Sequence, residues 1–220
     1  MPLPQTLLDQ IQHLVIHLLD DVKSTINAMT LEEIQSKKNP LFRLIFSQNP
    51  REYLNLFVSE RAERSLVTRF GHLIERVIQL LIVHQGGEIL GKSNEWKPYD
   101  LKFALPAQGE FWIEIKSILE QNKSNWAEIL RLKENAVNQG KNFRLCIYYP
   151  SRTQAPAELA DVTLVGEDLW TFVGGASDIQ DQIFAIISGL GADFSLHDIV
   201  AARVDQLLEE LNQPSLLDFI

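Results

Sequence analysis

Asp100, Glu114 and Lys116 are the residues whose types and spacing point most directly to chemistry. They lie in two alternating runs, Tyr99-Asp100-Leu101-Lys102-Phe103-Ala104-Leu105 and Glu110-Phe111-Trp112-Ile113-Glu114-Ile115-Lys116, separated by Pro106-Ala107-Gln108-Gly109. A period of two marks strands and the separator is turn chemistry, so the runs predict a hairpin. Side chains at i and i+2 share a face of a strand. Glu114 and Lys116 therefore point one way, and Phe111, Ile113 and Ile115 the other, into a core. With the turn centred near residue 107, Asp100 falls directly opposite Glu114 and Lys116 lies diagonal to the pair. Facing residues of an antiparallel pair stand roughly 4.5–5.5 Å apart at Cβ, where two carboxylates repel. A hard divalent ion such as Mg²⁺ resolves that conflict with carboxylate and carbonyl oxygens. A lysine beside it can orient or help deprotonate a water, or stabilise charge developing on a phosphate. The implied chemistry is metal-assisted phosphodiester hydrolysis. The alternative is a hairpin that simply carries charges on a wet face.

The elements that must position these residues follow from periodicity. Residues 6–22 place Leu7, Ile11, Leu14, Leu18 and Val22 on one helical stripe, with Thr6 as N-cap. Thr30-Leu31-Glu32-Glu33 has capping-box spacing for a second helix, and Asn49-Pro50 opens a third. A longer helix is expected from Glu60 to Val83, burying Leu66, Phe70, Leu73, Ile74, Val77 and Leu81, and ending at Gly86-Gly87. After the hairpin come a helix over 124–138, a strand over 144–149, a strand over 161–165 and a short helix over 169–173. Helices over about 178–188 and 195–211 follow. The order predicts an α/β fold in a single domain spanning 1–220: a helical part to residue 58, a β-rich core over 59–175 and an acidic helical part over 176–220.

With these elements in place the chain resembles the PD-(D/E)xK nuclease superfamily, the fold of many type II restriction endonucleases. The matching residues are Pro98-Tyr99-Asp100 and Glu114-Ile115-Lys116, on successive strands after a long helix and before a crossover helix. The likeness covers about residues 60–170 and departs from the family pattern in setting Tyr99 between the proline and the aspartate. It implies a restriction-endonuclease-like core, a mixed central sheet flanked by helices, with helical N- and C-terminal additions. By resemblance Asp100 and Glu114 bind Mg²⁺, the Ile115 carbonyl helps, and Lys116 assists the attacking water. Gly71-His72-Leu73-Ile74-Glu75 looks like the family's glutamate on the helix before the sheet, which makes Glu75 a further metal or water ligand. The other reading of Glu75 is a solvated residue paired with Arg76 or Gln79. The compact size and the 111–152 stretch are most similar to a small type II enzyme.

Composition limits what else the chain could be. At 220 residues, 45% hydrophobic and 22% charged, it is globular rather than disordered. The single Cys146 excludes an intramolecular disulfide and a multi-thiolate zinc site. No Gly-rich phosphate loop suggests a nucleotide cofactor. The N-terminal Met-Pro-Leu-Pro does not read as a signal peptide, and no apolar run approaches a bilayer span, so a cytoplasmic protein without a membrane partner is expected. The net charge of −9 argues against a nucleic-acid partner only until it is divided. Residues 37–152 carry 18 bases against 12 acids, while the flanks carry −4 before and −11 after. Any DNA surface is therefore expected within 37–152, with the acidic tail turned away from DNA or toward a protein.

Smaller features divide similarly. Arg43, Arg51, Arg61, Arg64, Arg69 and Arg76 could meet phosphates or pair with acids along their helices. Gln121, Asn122, Lys123 and Asn125 are candidate DNA contacts, since Asn and Gln can pair with adenine and Lys with guanine in the major groove. Trp112 shares the Glu114 face and either walls the site or packs under a helix. Residues 213–220 resemble the short peptides that bind sliding clamps, but a helix end with an apolar plug is the simpler reading, so no clamp contact is expected. The function expected is a Mg²⁺-dependent type II restriction endonuclease, a homodimer cutting double-stranded DNA at a short palindrome. The alternatives are a repair or recombination nuclease of the same fold, or a non-catalytic interaction module.

Overall fold

The computed structural model describes residues 2–37, 49–118, 123–149 and 155–212. They fall into two compact units: Met1–Gln12 with Gly71–Gly189, and His13–Phe70 with Leu190–Ile220. Helices α1 (Gln5–Asn27) and α3 (Pro50–His84) each run from one unit into the other.

The first unit is built on a five-stranded mixed sheet: β1 (Glu88–Ile89), β2 (Leu101–Leu105), β3 (Gly109–Lys116), β4 (Asn142–Ile147) and β5 (Thr163–Val165), side by side in that order. The first three strands are antiparallel, and β3, β4 and β5 are parallel. The hairpin has the register its alternation predicts, Leu101 pairing with Ile113 and Leu105 with Gly109. Its turn places Ala107 and Gly109 at positive φ, 58° and 88°; glycine adopts that geometry without strain. Parallel neighbours need a crossover, which between β3 and β4 is the helix α5 (Lys123–Asn138).

Both faces of β3 are covered, so its charged side is not a wet face. Trp112 lies in a core cluster with Tyr99, Phe143, Leu145 and Ile147, closed by Ile129, Leu132 and Ala136 of α5. On the opposite face Phe103 and Phe111 stack at 5.5 Å, and Phe172 of α7 (Glu167–Gly174) meets both rings. Cys146 is fully buried, and burial pushes its thiol pKa far above the ordinary value, as suits a core residue.

α3 departs from expectation. Helices expected from Asn49-Pro50 and from Glu60 are one helix of 35 residues, because the polar stretch Ser59-Glu60-Arg61-Ala62-Glu63-Arg64 is made largely of good helix formers. Asn49 does cap it, accepting from the Glu52 N–H at 3.2 Å. The helix ends as expected, with Gly86 at φ 81° and the Gly87 N–H donating to Ile82 O. Thr6 is not a cap: α1 starts at Gln5, and the Leu7 and Leu8 N–H groups donate to Pro4 O. Two four-residue helices, α4 (Ser93–Trp96) and α6 (Ala157–Ala160), were not expected, being too short to show a period.

In the second unit Thr30 caps α2 (Leu31–Lys37), accepting from the Glu33 N–H at 3.1 Å. Ser195 caps α9 (Leu196–Leu211) in the same way. The arginines here are occupied by acids: Arg51 by Asp205, Arg61 by Glu33, Arg64 by Glu60 and Arg69 by Asp21. Buried Arg203 of α9 donates to Met29 O.

The stretch 179–211 contains an 18-residue window of mean hydropathy 1.5, apolar enough by composition to cross a bilayer. It is divided at residues 192–195 into α8 (Ile179–Gly191) and α9, of 13 and 16 residues. Each is shorter than the about 20 residues that a spanning helix needs.

Candidate active site

β2 begins at Leu101, so Asp100 sits one residue beyond the ladder, whose last pair at that end is Leu101 with Ile113. The Asp100 backbone N–H donates to Ile113 O at 3.0 Å. Its carboxylate then takes over where the β2 backbone stops: Oδ2 accepts from the Ile115 N–H at 2.7 Å. A strand residue turns its N–H and C=O toward the same neighbour. The Ile115 carbonyl therefore faces the side on which Asp100 lies.

Glu114 is one of two buried charged residues among those described, only 8% exposed. Its Oε1 lies 2.6 Å from Lys116 Nζ, two residues along the same face. Burial pushes the Glu114 pKa above the ordinary carboxylate range and the negative charge of Asp100 pushes it further, with Lys116 pulling the other way. Burial also opposes the charge on Lys116, but the hydrogen bond and charge of Glu114, with Asp100 behind it, hold its pKa above the usual lysine value. The ammonium is thus favoured as the counter-charge of buried Glu114 and half-buried Asp100.

Glu75 joins the group from α3. It is half-buried, and burial followed by the charge of Asp100 raises its pKa. Its partner is His72, with Nδ1 3.6 Å from Glu75 Oε2; Arg76 donates instead to Gln79. Glu75 is therefore not the solvated half of an Arg76 or Gln79 pair.

The segment that aims Asp100 is anchored through Tyr99, whose buried hydroxyl donates to Leu132 O and accepts from Asn135 Nδ2, both at 3.0 Å. Trp112 packs beneath α5, with Lys102 Nζ 4.2 Å from its ring centroid and its Nε1 donating to Glu110. Of its two readings, packing under a helix is the one observed.

The described residues hold no group of three or more His, Cys, Asp or Glu side chains arranged to cage a metal. Mg²⁺ does not require one, since it usually takes one or two carboxylates and keeps several waters. Asp100 and Glu114, with the Ile115 carbonyl, are a hard-oxygen set of that kind. The raised pKa values of Glu114 and Glu75 reflect, after burial, negative charge that a cation would offset. By type these donors are the ones a hard divalent cation takes.

Sequence reasoning missed Glu128, an exposed residue of α5 whose charge reaches both Glu114 and Lys116. The signal was available, because a crossover helix after β3 must cover the face that carries Glu114. Among the candidate DNA contacts, Gln121 and Asn122 lie outside the described residues, Lys123 opens α5, and Asn125 is exposed in its first turn. Arg43 and the tail 213–220 also lie outside the described residues.

No protein-family model matches the chain, and no curated protein matches it.

Proposed function

We propose that the chain is a Mg²⁺-dependent endonuclease of double-stranded DNA with a restriction-endonuclease-like core, acting as a cytoplasmic homodimer on a short palindromic site. The observation that carries the reading is the convergence of Asp100, Glu114 and Lys116 at the end of the β2–β3 ladder, with the Asp100 carboxylate held by the Ile115 N–H. Asp100, Glu114 and the Ile115 carbonyl would hold the ion. When bound, Mg²⁺ supplies Lewis-acid polarisation of the phosphodiester and acidifies a water.

The remaining work falls to the chain's own side chains. Asp100 and Glu114 would fix where the ion sits relative to the sheet. Lys116, half-exposed and cationic, presents a hydrogen-bond donor to the attacking water and to charge developing on the phosphate. Glu75 accepts a hydrogen bond from a water at the Asp100 side of the cluster. Core packing by Trp112 and α5 keeps bulk solvent from Glu114, which strengthens each of these interactions.

Plasmid incubated with the purified chain and Mg²⁺ is the test. Discrete fragments support a site-specific endonuclease. A smear replaces site specificity with general nuclease action, and intact plasmid removes the nuclease reading.

A further inference from the structure

A groove of about 780 Å³ opens from the carboxylate cluster, with Glu75 and Asp100 in its wall. That volume lies within the roughly 300–1,000 Å³ of sites that hold drug-sized ligands, the size class of a nucleotide. Beyond the two acids its wall carries Arg76, Lys92 and Lys97, all exposed. Among the described residues none of these three closes a salt bridge, whereas Arg51, Arg61, Arg64 and Arg69 each do. Cations that close no salt bridge, beside a phosphodiesterase-type cluster, fit a polyanion.

The groove's aromatic residues argue for backbone rather than base contact. Trp96 is buried, its Nε1 donating to Leu90 O at 2.6 Å, and Tyr99 is buried with its hydroxyl engaged. They form a floor and offer no open ring on which a base could stack. The loop carrying the lysines is also held in shape. Glu95 Oε2 accepts from the Lys92 N–H, and Lys102 Nζ donates to Glu95 O. Gly91, at φ 67°, leaves room for that turn: a Cβ there would meet Glu95 Oε2 at 2.4 Å. Lys97 is near enough to Glu75 to draw its pKa downward, so the basic wall and the acidic cluster are continuous.

We propose that the groove lined by Arg76, Lys92 and Lys97 seats the sugar-phosphate backbone of the DNA strand beside the Asp100–Glu114–Lys116 cluster. The inference rests on the nuclease reading and assigns its strand-binding surface to residues 76–97 as well as to the start of α5. Contacts of this kind position a duplex without reading its sequence.

The test is fluorescence anisotropy of a short fluorescein-labelled duplex with the full chain across a salt series. Ca²⁺ is present to neutralise the carboxylates. Wild type is compared with the double variant Lys92→Gln/Lys97→Gln, and circular dichroism verifies the fold. Two lost phosphate contacts reduce the slope of log K against log salt by about 1.8. The loss of affinity is the same for duplexes of unrelated sequence. An unchanged slope, or no binding by wild type, overturns the groove. Plasmid cleavage with Mg²⁺ separates the two claims. Cutting by wild type with an unchanged slope removes the groove and leaves the nuclease. Intact plasmid with a reduced slope removes the nuclease and leaves the groove as a DNA seat.

Discussion

The Asp100 carboxylate accepts a 2.7 Å hydrogen bond from the backbone N–H of Ile115, standing in for a β2 backbone partner. One side chain thus extends the β2–β3 ladder past the end of β2 and brings a negative charge up to Glu114. Asp100→Asn and Asp100→Ala separate these roles. The amide keeps an acceptor for Ile115, so its melting temperature should stay near wild type while cleavage is lost. Alanine leaves a buried N–H without a partner and should cost about 1–3 kcal/mol more, read by thermal or urea denaturation. Equal stability of the two variants would mean that the hydrogen bond does not hold the end of the ladder.

Glu114 and Glu75 have pKa values raised in the fold, so the folded state binds more protons than the unfolded one between the ordinary and the raised values. Their contribution is therefore most favourable below the ordinary carboxylate pKa and declines as pH rises through the raised values. In EDTA, Glu114→Gln should remove part of that decline, so its stability relative to wild type grows from acid to neutral pH. Denaturation at a series of pH values checks this; a difference that shrinks with pH contradicts it.

Mg²⁺ that binds the folded state alone should stabilise it most where the carboxylates are ionised. At about 100 times its dissociation constant the gain is about 2.7 kcal/mol, or roughly 5–11 °C for a chain of this size. Calorimetry with and without Mg²⁺ should show that shift at neutral pH, little at acid pH, and none in Asp100→Asn/Glu114→Gln.

Glu75→Gln should lower the cleavage rate by about 10- to 100-fold, the usual effect of losing a group that orients a metal site from outside its direct ligands. Because the change also removes a half-buried charge next to Asp100, stability should hold or rise. A wild-type cleavage rate would place Glu75 outside the chemistry.

Tyr99→Phe should lower both stability and rate, since the hydroxyl ties the residue before Asp100 to Leu132 and Asn135 of α5. The expected stability loss is about 0.5–1.5 kcal/mol, the net contribution of the buried hydrogen bond to Leu132, since the exposed Asn135 amide can turn to water. Denaturation and cleavage kinetics on the same preparation check both.

How much of the site was legible depended on how local its causes are. Strand alternation and the turn centred on residue 107 made the hairpin register legible, Leu101 pairing with Ile113 and Leu105 with Gly109. The depth of Glu114 burial was less legible than the presence of a cover, because Phe143, Leu145 and Ile147, which pair with Trp112, Glu114 and Lys116, come from β4, distant in the chain. A buried strand looks amphipathic when its second cover arrives by crossover. The continuity of α3 was missed for a related reason: an apolar stripe marks packing, while helix formation through residues 59–64 needs only residues that favour it. The groove cations were counted in the basic middle of the chain, but only folding shows which bases close no salt bridge.

The central claim is that Asp100, Glu114 and Lys116 form one hydrolytic site. Plasmid cleavage by wild type, Asp100→Asn, Glu114→Gln and Lys116→Met, each with Mg²⁺ and with EDTA, tests it most directly. The account predicts discrete fragments from wild type with Mg²⁺ and intact plasmid in every other lane, with circular dichroism unchanged across the set. Wild-type cutting by any one of the three variants, or cutting by wild type in EDTA, would contradict it.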